Sequence, residues 1–241
     1  MRKMRLVLLA GQSNMAGRGI PGPEDLMPVP GVYAFDSRMG SFVPAIEPVT
    51  CDHPRWNGVG CGRTFAKLLH DLDPETPVGL IPAAVGATAL SSWKPGAKAV
   101  YTDHHPYDDC IAMAERAQKY GEISAILWHQ GESDAGWKNE NYAADLTELV
   151  NNLRRDLDLP EVPFICGELG YFLKGTEYDF PPVTEGIRQV TETLPFMGLA
   201  SAAGLTDKGD RLHFDTPSQH LFGERYFAEY CRLCGNKKQN I

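Results

Sequence analysis

Leu6-Val7-Leu8-Leu9-Ala10-Gly11-Gln12-Ser13-Asn14-Met15 is the stretch from which the fold is read. Its opening run of five apolar residues suits a strand buried on both faces, as at the centre of a parallel sheet. Gly11 breaks the run, and Ser13 follows two positions later. In an open α/β sheet, ligands are handled just past the carboxyl ends of the strands. A serine placed there faces a cleft. From this stretch alone two roles are open for Ser13: the cap of a following helix, a common post for serine, or a nucleophile.

Working outward, Val78–Val85, Ile123–Trp128, Pro163–Leu169 and Phe196–Ala200 are apolar runs of the same character. Helical spacing separates them. Gly60–Leu72 puts Phe65, Leu68, Leu69 and Leu72 on one face, and Asp108–Tyr120 is ended by Gly121. Asn141–Leu157 is clearly amphipathic and stops before Pro160, while Val183–Leu194 and Pro217–Leu233 complete the set. Val32–Phe35 and Phe42–Val43 predict a hairpin around Met39-Gly40; residues 91–109 and 170–182 read as loops. Strands alternating with helices predict a mainly parallel sheet covered on both faces, a three-layer α/β/α sandwich. With no repeat, linker or low-complexity tract, the chain reads as one domain, residues 1–241.

Composition narrows the partners. Hydrophobic residues make up 43% of the chain and charged residues 22%, enough for an ordinary packed core. The net charge of −8 argues against nucleic acid or an anionic membrane as the main partner. Met1-Arg2-Lys3-Met4-Arg5 before the apolar run imitates a signal peptide, but the run is too short and leads straight into the serine motif. The chain as given is expected to be cytoplasmic, or secreted or periplasmic if a leader has been removed. Cys51 and Cys61 have a spacing that permits a bridge in an oxidising compartment. Cys231 and Cys234 have metal-pair spacing, yet no second pair exists and they fall in the last helix, so structural thiols are expected. Gly17-Arg18-Gly19-Ile20-Pro21-Gly22 matches G-x-G-x-x-G in form only: Pro21 and Pro23 keep it irregular where a dinucleotide loop would open a helix.

Asp210-Arg211-Leu212-His213 changes the weight given to Ser13. On one tight turn, an aspartate three residues before a histidine can set its carboxylate against the imidazole, fix the tautomer and leave the other nitrogen as a base. A serine hydroxyl needs such a base to become a nucleophile. Gly86 and Gln130, like Ser13, stand just after apolar runs and so should gather at the same sheet edge. There the backbone N–H groups of Ser13 and Gly86, with the Gln130 amide, are candidate donors to a tetrahedral oxyanion.

Together, Gly11-Gln12-Ser13-Asn14-Met15, Gly86 within Ala84–Thr88, Trp128-His129-Gln130-Gly131-Glu132-Ser133-Asp134 and Asp210–His213 resemble the SGNH hydrolase superfamily. Within it they are most similar to carbohydrate esterases of the sialate O-acetylesterase and acetylxylan esterase type. The resemblance implies a flavodoxin-like sheet and a cofactor- and metal-free serine esterase acting on an acetylated carbohydrate. It implies Ser13 as nucleophile, His213 as base, Asp210 as its orienting acid, and Ser13, Gly86 and Gln130 as the oxyanion hole. The wider superfamily has asparagine in its third block, and Gln130 is the residue nearest that position here.

Several side chains keep two readings. Glu132 either assists His213, even replacing Asp210, or holds its loop by accepting backbone hydrogen bonds. His129 is expected to fix that loop, and Asp103, His104, His105, Asp108 and Asp109 to be solvated rather than metal-bound. Gln12, Trp93 and Trp137 are candidate substrate contacts; Trp93, Tyr101 and Trp137 serve equally well as sugar platforms or packing aromatics. An acyltransferase, or a carbohydrate-binding protein without chemistry, remains an alternative to the esterase.

Overall fold

A computed structural model describes residues 3–50, 52–53 and 55–237. Strand β1 (Met4–Gly11) lies between β4 (Val78–Pro82) and β5 (Gly121–His129), parallel to both. The sheet has seven strands in the order β3-β2-β4-β1-β5-β6-β7, with β2 (Val32–Asp36), β3 (Ser41–Pro44), β6 (Phe164–Gly167) and β7 (Met197–Ala200). The segment β4-β1-β5-β6-β7 is the 2-1-3-4-5 order of flavodoxin-like sheets, whose ligands sit where the order reverses, beside β1. The predicted hairpin is present: β3 pairs antiparallel with β2, Asp36 facing Ser41, and extends the sheet beyond β4.

Alternation along β1 feeds two cores. Leu6, Leu8 and Ala10 face one side, where they meet α3 (Pro106–Ala117), α5 (Tyr142–Asp156) and α6 (Pro181–Thr193). Val7 and Leu9 face the other, against α2 (Gly62–Asp71) and α7 (Thr216–Lys237), with Phe65, Leu69, Phe222 and Tyr226 filling the layer. Two short helices, α1 (Ser13–Ala16) and α4 (Glu132–Gly136), follow β1 and β5 directly. Both are too short to leave a periodic signal. β4 stops at Pro82, three residues before the end of the apolar run, but the chain keeps its course: Val85 N–H donates to Gly11 O at 3.0 Å. Gly86 is thereby carried beside Ser13.

Cys51 lies outside the described residues, as do Met1 and Arg2; Cys61 is a buried thiol 3.8 Å from the Met15 sulfur. Among the described residues no helix is long and apolar enough to cross a membrane.

Candidate active site

Gly11 makes the turn that exposes the serine. Its φ is +130°, and a Cβ there would stand 2.1 Å from the His129 carbonyl oxygen, so the β1–β5 approach demands glycine. Ser13 then begins α1, with its Oγ 3.1 Å from His213 Nε2 across 200 residues of sequence. His213 Nδ1–H donates to Asp210 Oδ2 at 2.7 Å. Asp210 Oδ1 also accepts the backbone N–H groups of His213 (2.8 Å) and Leu212 (3.0 Å), closing a turn in which Arg211 adopts φ +55°. The carboxylate therefore shapes the loop and orients the ring at once.

Charge follows burial and bonding. Desolvation pushes the His213 imidazole below its ordinary 6.5, only partly opposed by Asp210, so the ring is neutral and basic at neutral pH. For Asp210, burial acts upward, but the hydrogen bonds from His213 and Leu212 prevail and hold the carboxyl below its usual range.

Asn14 ties the Ser13 helix to the His213 loop. Its Oδ1 accepts Phe214 N–H at 3.1 Å and its Nδ2 donates to Leu212 O at 3.1 Å, gripping the chain on both sides of His213. The same Nδ2 donates to Glu132 Oε1, which also accepts His129 Nε2–H at 3.1 Å. Glu132 is fully buried; burial acts to raise its pKa, yet the His129 ring and the bonds from His129 and Asn14 keep it below the ordinary value. Glu132 does not replace Asp210, because Asp210 already occupies His213 Nδ1. It holds the loop, accepting from the Asn14 and His129 side chains.

Three expected contacts are corrected, at Gln130, Trp93 and Trp137. Gln130 is fully buried and turned from the cleft: its amide donates to Thr88 O (3.0 Å) and to Asp134 Oδ2, and its Oε1 accepts the Tyr142 hydroxyl at 3.1 Å. Its donors are committed to a network that joins α4, α5 and the post-β4 loop, so it does not supply the third oxyanion bond. Trp93 is also core, edge-to-face with Trp128 at 5.0 Å and donating to Thr88 Oγ1 at 3.0 Å. Gln130→Leu should therefore cost about 2–3 kcal/mol of stability by stranding buried polar partners, read as a lower thermal midpoint. A lost oxyanion donor would instead lower kcat roughly a hundredfold.

The cleft over Ser13 has a volume of about 320 Å³. Gln12 lines it, with its Oε1 accepting Ser133 N–H at 3.3 Å. Tyr101 lines it too and is largely exposed, whereas Trp137, half-exposed on α4's end, does not. Trp56, 60% exposed on the cleft wall, and Tyr178 escaped the sequence reading because they lie in irregular segments. Arg18 and Asp52 escaped it as well. Gly86 N–H donates to Asp52 Oδ2 at 2.7 Å, and Arg18 grips both Asp52 oxygens at 3.2 and 2.7 Å. The histidine–aspartate stretch near residue 104 pairs internally at the surface, His104 with Asp109 at 3.5 Å and Lys98 with Asp103 at 2.7 Å.

A family model described as carbohydrate esterase, sialic acid-specific acetylesterase, matches residues 3–232. The chain belongs to this family. The esterase is 31% identical, over 94% of its own length and 92% of the relative's, to the probable carbohydrate esterase At4g34215 of Arabidopsis thaliana. The solved structure of that Arabidopsis protein superposes with a TM-score of 0.83 at 29% identity, covering 95% of this chain and 98% of that one. NanS shares the fold, with a TM-score of 0.75 at 18% identity over 97% and 98% of the two chains. A carbohydrate acetylesterase from Xanthomonas citri shares it at 0.72 and 17% identity, over 95% of this chain and 56% of that one. The sheet is thus that of the SGNH-type carbohydrate esterases, and the protein is a carboxylic ester hydrolase of the carbohydrate acetylesterase kind.

Proposed function

We propose that Ser13, His213 and Asp210 remove O-acetyl groups from a carbohydrate in two acyl-transfer steps. The supporting observation is the continuous relay from Asp210 Oδ2 through the imidazole to Ser13 Oγ, at 2.7 and 3.1 Å. His213 Nε2 takes the Ser13 proton as Oγ bonds to the acetyl carbonyl carbon. The carbonyl oxygen becomes an oxyanion held by Ser13 N–H and by Gly86 N–H, once it displaces Asp52 Oδ2 from the latter. The C–O bond to the sugar breaks, and His213 returns the proton to the departing sugar oxygen. Water then attacks the acetyl-serine with His213 again as base, and acetate leaves as Ser13 regains its proton.

Acetate release from a panel of acetylated sialic acids, xylo-oligosaccharides and other acetylated sugars tests this reading and names the sugar. Release from none of them would overturn it, as would transfer of acetyl to an added sugar in place of water. The imidazole acts only when neutral, so kcat/KM should fall as pH drops through a His213 pKa lying below 6.5. A pH–rate profile whose acid limb is centred above 6.5 would contradict that assignment.

A further inference from the structure

We propose that Asp52 sets the acyl length this esterase accepts, by walling the acetyl site off from a second cavity with an apolar side. The inference rests on the triad reading above. The Asp52 side chain is a CH2–COO− group, an acetate in size and shape, and one of its oxygens sits 2.7 Å from Gly86 N. A Cβ built on Gly86 would stand 2.7 Å from Asp52 Oδ2, 2.6 Å from an Arg18 guanidinium nitrogen and 3.7 Å from Ser13 Cβ. Carboxylate, guanidinium and nucleophile therefore converge on one face of Gly86, where the acyl group of a bound ester must stand.

Behind Asp52 lies a cavity of about 500 Å³. Ala34, Val43, Ile46, Val49 and Met113 give it an apolar side, Asp36, Arg38, His104 and Asp109 a polar one, and it shares only Asp52 and Val85 with the catalytic cleft. Arg18 holds the partition in place: both side chains are nearly fully buried, 4% and 3% exposed, and the fork is bidentate. A buried ion pair is weak evidence of a stability device, since desolvation offsets its attraction. Its placement has a chemical consequence instead. An acetyl oxygen can take over the Gly86 N–H while its methyl group stays on the cleft side. A chain of four or more carbons must run into the carboxylate and guanidinium and strip them of contacts. Without Asp52, the same chain enters the second cavity along its apolar side.

The test is the chain-length profile, kcat/KM on the 4-nitrophenyl esters of acetate, butyrate and hexanoate. The native enzyme should favour acetate over hexanoate by at least about tenfold, the scale on which pocket size discriminates between apolar groups. Asp52→Ala should raise the hexanoate-to-acetate ratio by about thirtyfold or more, while Asp52→Asn, which keeps the partition's shape, should retain the acetate preference. If Asp52→Ala does not fold because Arg18 is left unpaired, the double variant Arg18→Met/Asp52→Ala removes both charges and must give the same shift. An unchanged profile in the folded variant, or a flat profile in the native enzyme, overturns the proposal. With Ser13→Ala inactive, either result would leave the triad reading standing. A native enzyme inactive on all three esters would overturn this proposal, while acetate release from the sugar panel decides the triad reading separately.

Discussion

Ser13→Ala should lower kcat for an acetylated carbohydrate by on the order of a millionfold, the scale at which loss of a triad nucleophile leaves only binding and oxyanion contacts. The hydroxyl is 3.1 Å from His213 Nε2 and has no other hydrogen bond among the described residues, so its removal strands no buried partner there: His213 Nε2 simply faces the cleft. Folding stability should stay within about 1 kcal/mol of native. KM should change little, because Oγ forms its bond to substrate only on the way to the tetrahedral state. Acetate release and a circular-dichroism melt read the two quantities separately. Retention of even a hundredth of the native rate with an intact melt would place the nucleophile elsewhere.

The position of that serine was legible because an apolar run, a glycine that admits a tight turn and a hydroxyl at the strand's end coincide in short sequence; its choice between cap and nucleophile turned on Asp210 and His213. Asp210 and His213 were legible for a similar reason, since the contact between them spans three residues and one turn. Element order followed from periodicity, and the boundaries shifted where caps and prolines intervene, as at Pro82 and at Pro106, which opens α3 ahead of the expected Asp108. Gln130 was placed correctly along the chain but not in rotation. Strand-end position says which residues reach the cleft edge; whether a long amide points in or out is decided by partners distant in sequence, here Thr88, Asp134 and Tyr142. Trp93 went the same way, claimed by Trp128 and Thr88. The Arg18–Asp52 pair joins two aperiodic segments 34 residues apart, and nothing local marks either side chain.

Asn14 and Glu132 show how one buried network can serve the triad without entering it. Asn14 spans the nucleophile helix and both neighbours of His213, and Glu132 with His129 fixes the orientation of its amide. The network's negative charge is buried near the imidazole and acts to favour its protonated form. Desolvation outweighs that effect in the resting enzyme, so the field assists the imidazolium of the reaction without pre-protonating the base.

Asp210→Asn separates the orienting acid from every alternative. The amide oxygen can keep the two backbone bonds that Asp210 Oδ1 accepts at 2.8 and 3.0 Å, so the turn and the position of the ring should survive. The amide NH2 then occupies the place of Oδ2, where a donor faces His213 Nδ1 instead of an acceptor at 2.7 Å. Nδ1 must accept, the ring proton moves to Nε2, and the base can no longer take the Ser13 proton. A loss of about 10⁴-fold in kcat at neutral pH is expected, with KM nearly native. If Glu132 could act in place of Asp210, the loss would stay under about tenfold, below the contribution of ordinary acid–base assistance. Measuring Asp210→Asn alone and combined with Glu132→Gln decides between them: the assignment holds if the first substitution alone removes the activity, and fails if the loss appears only in the pair.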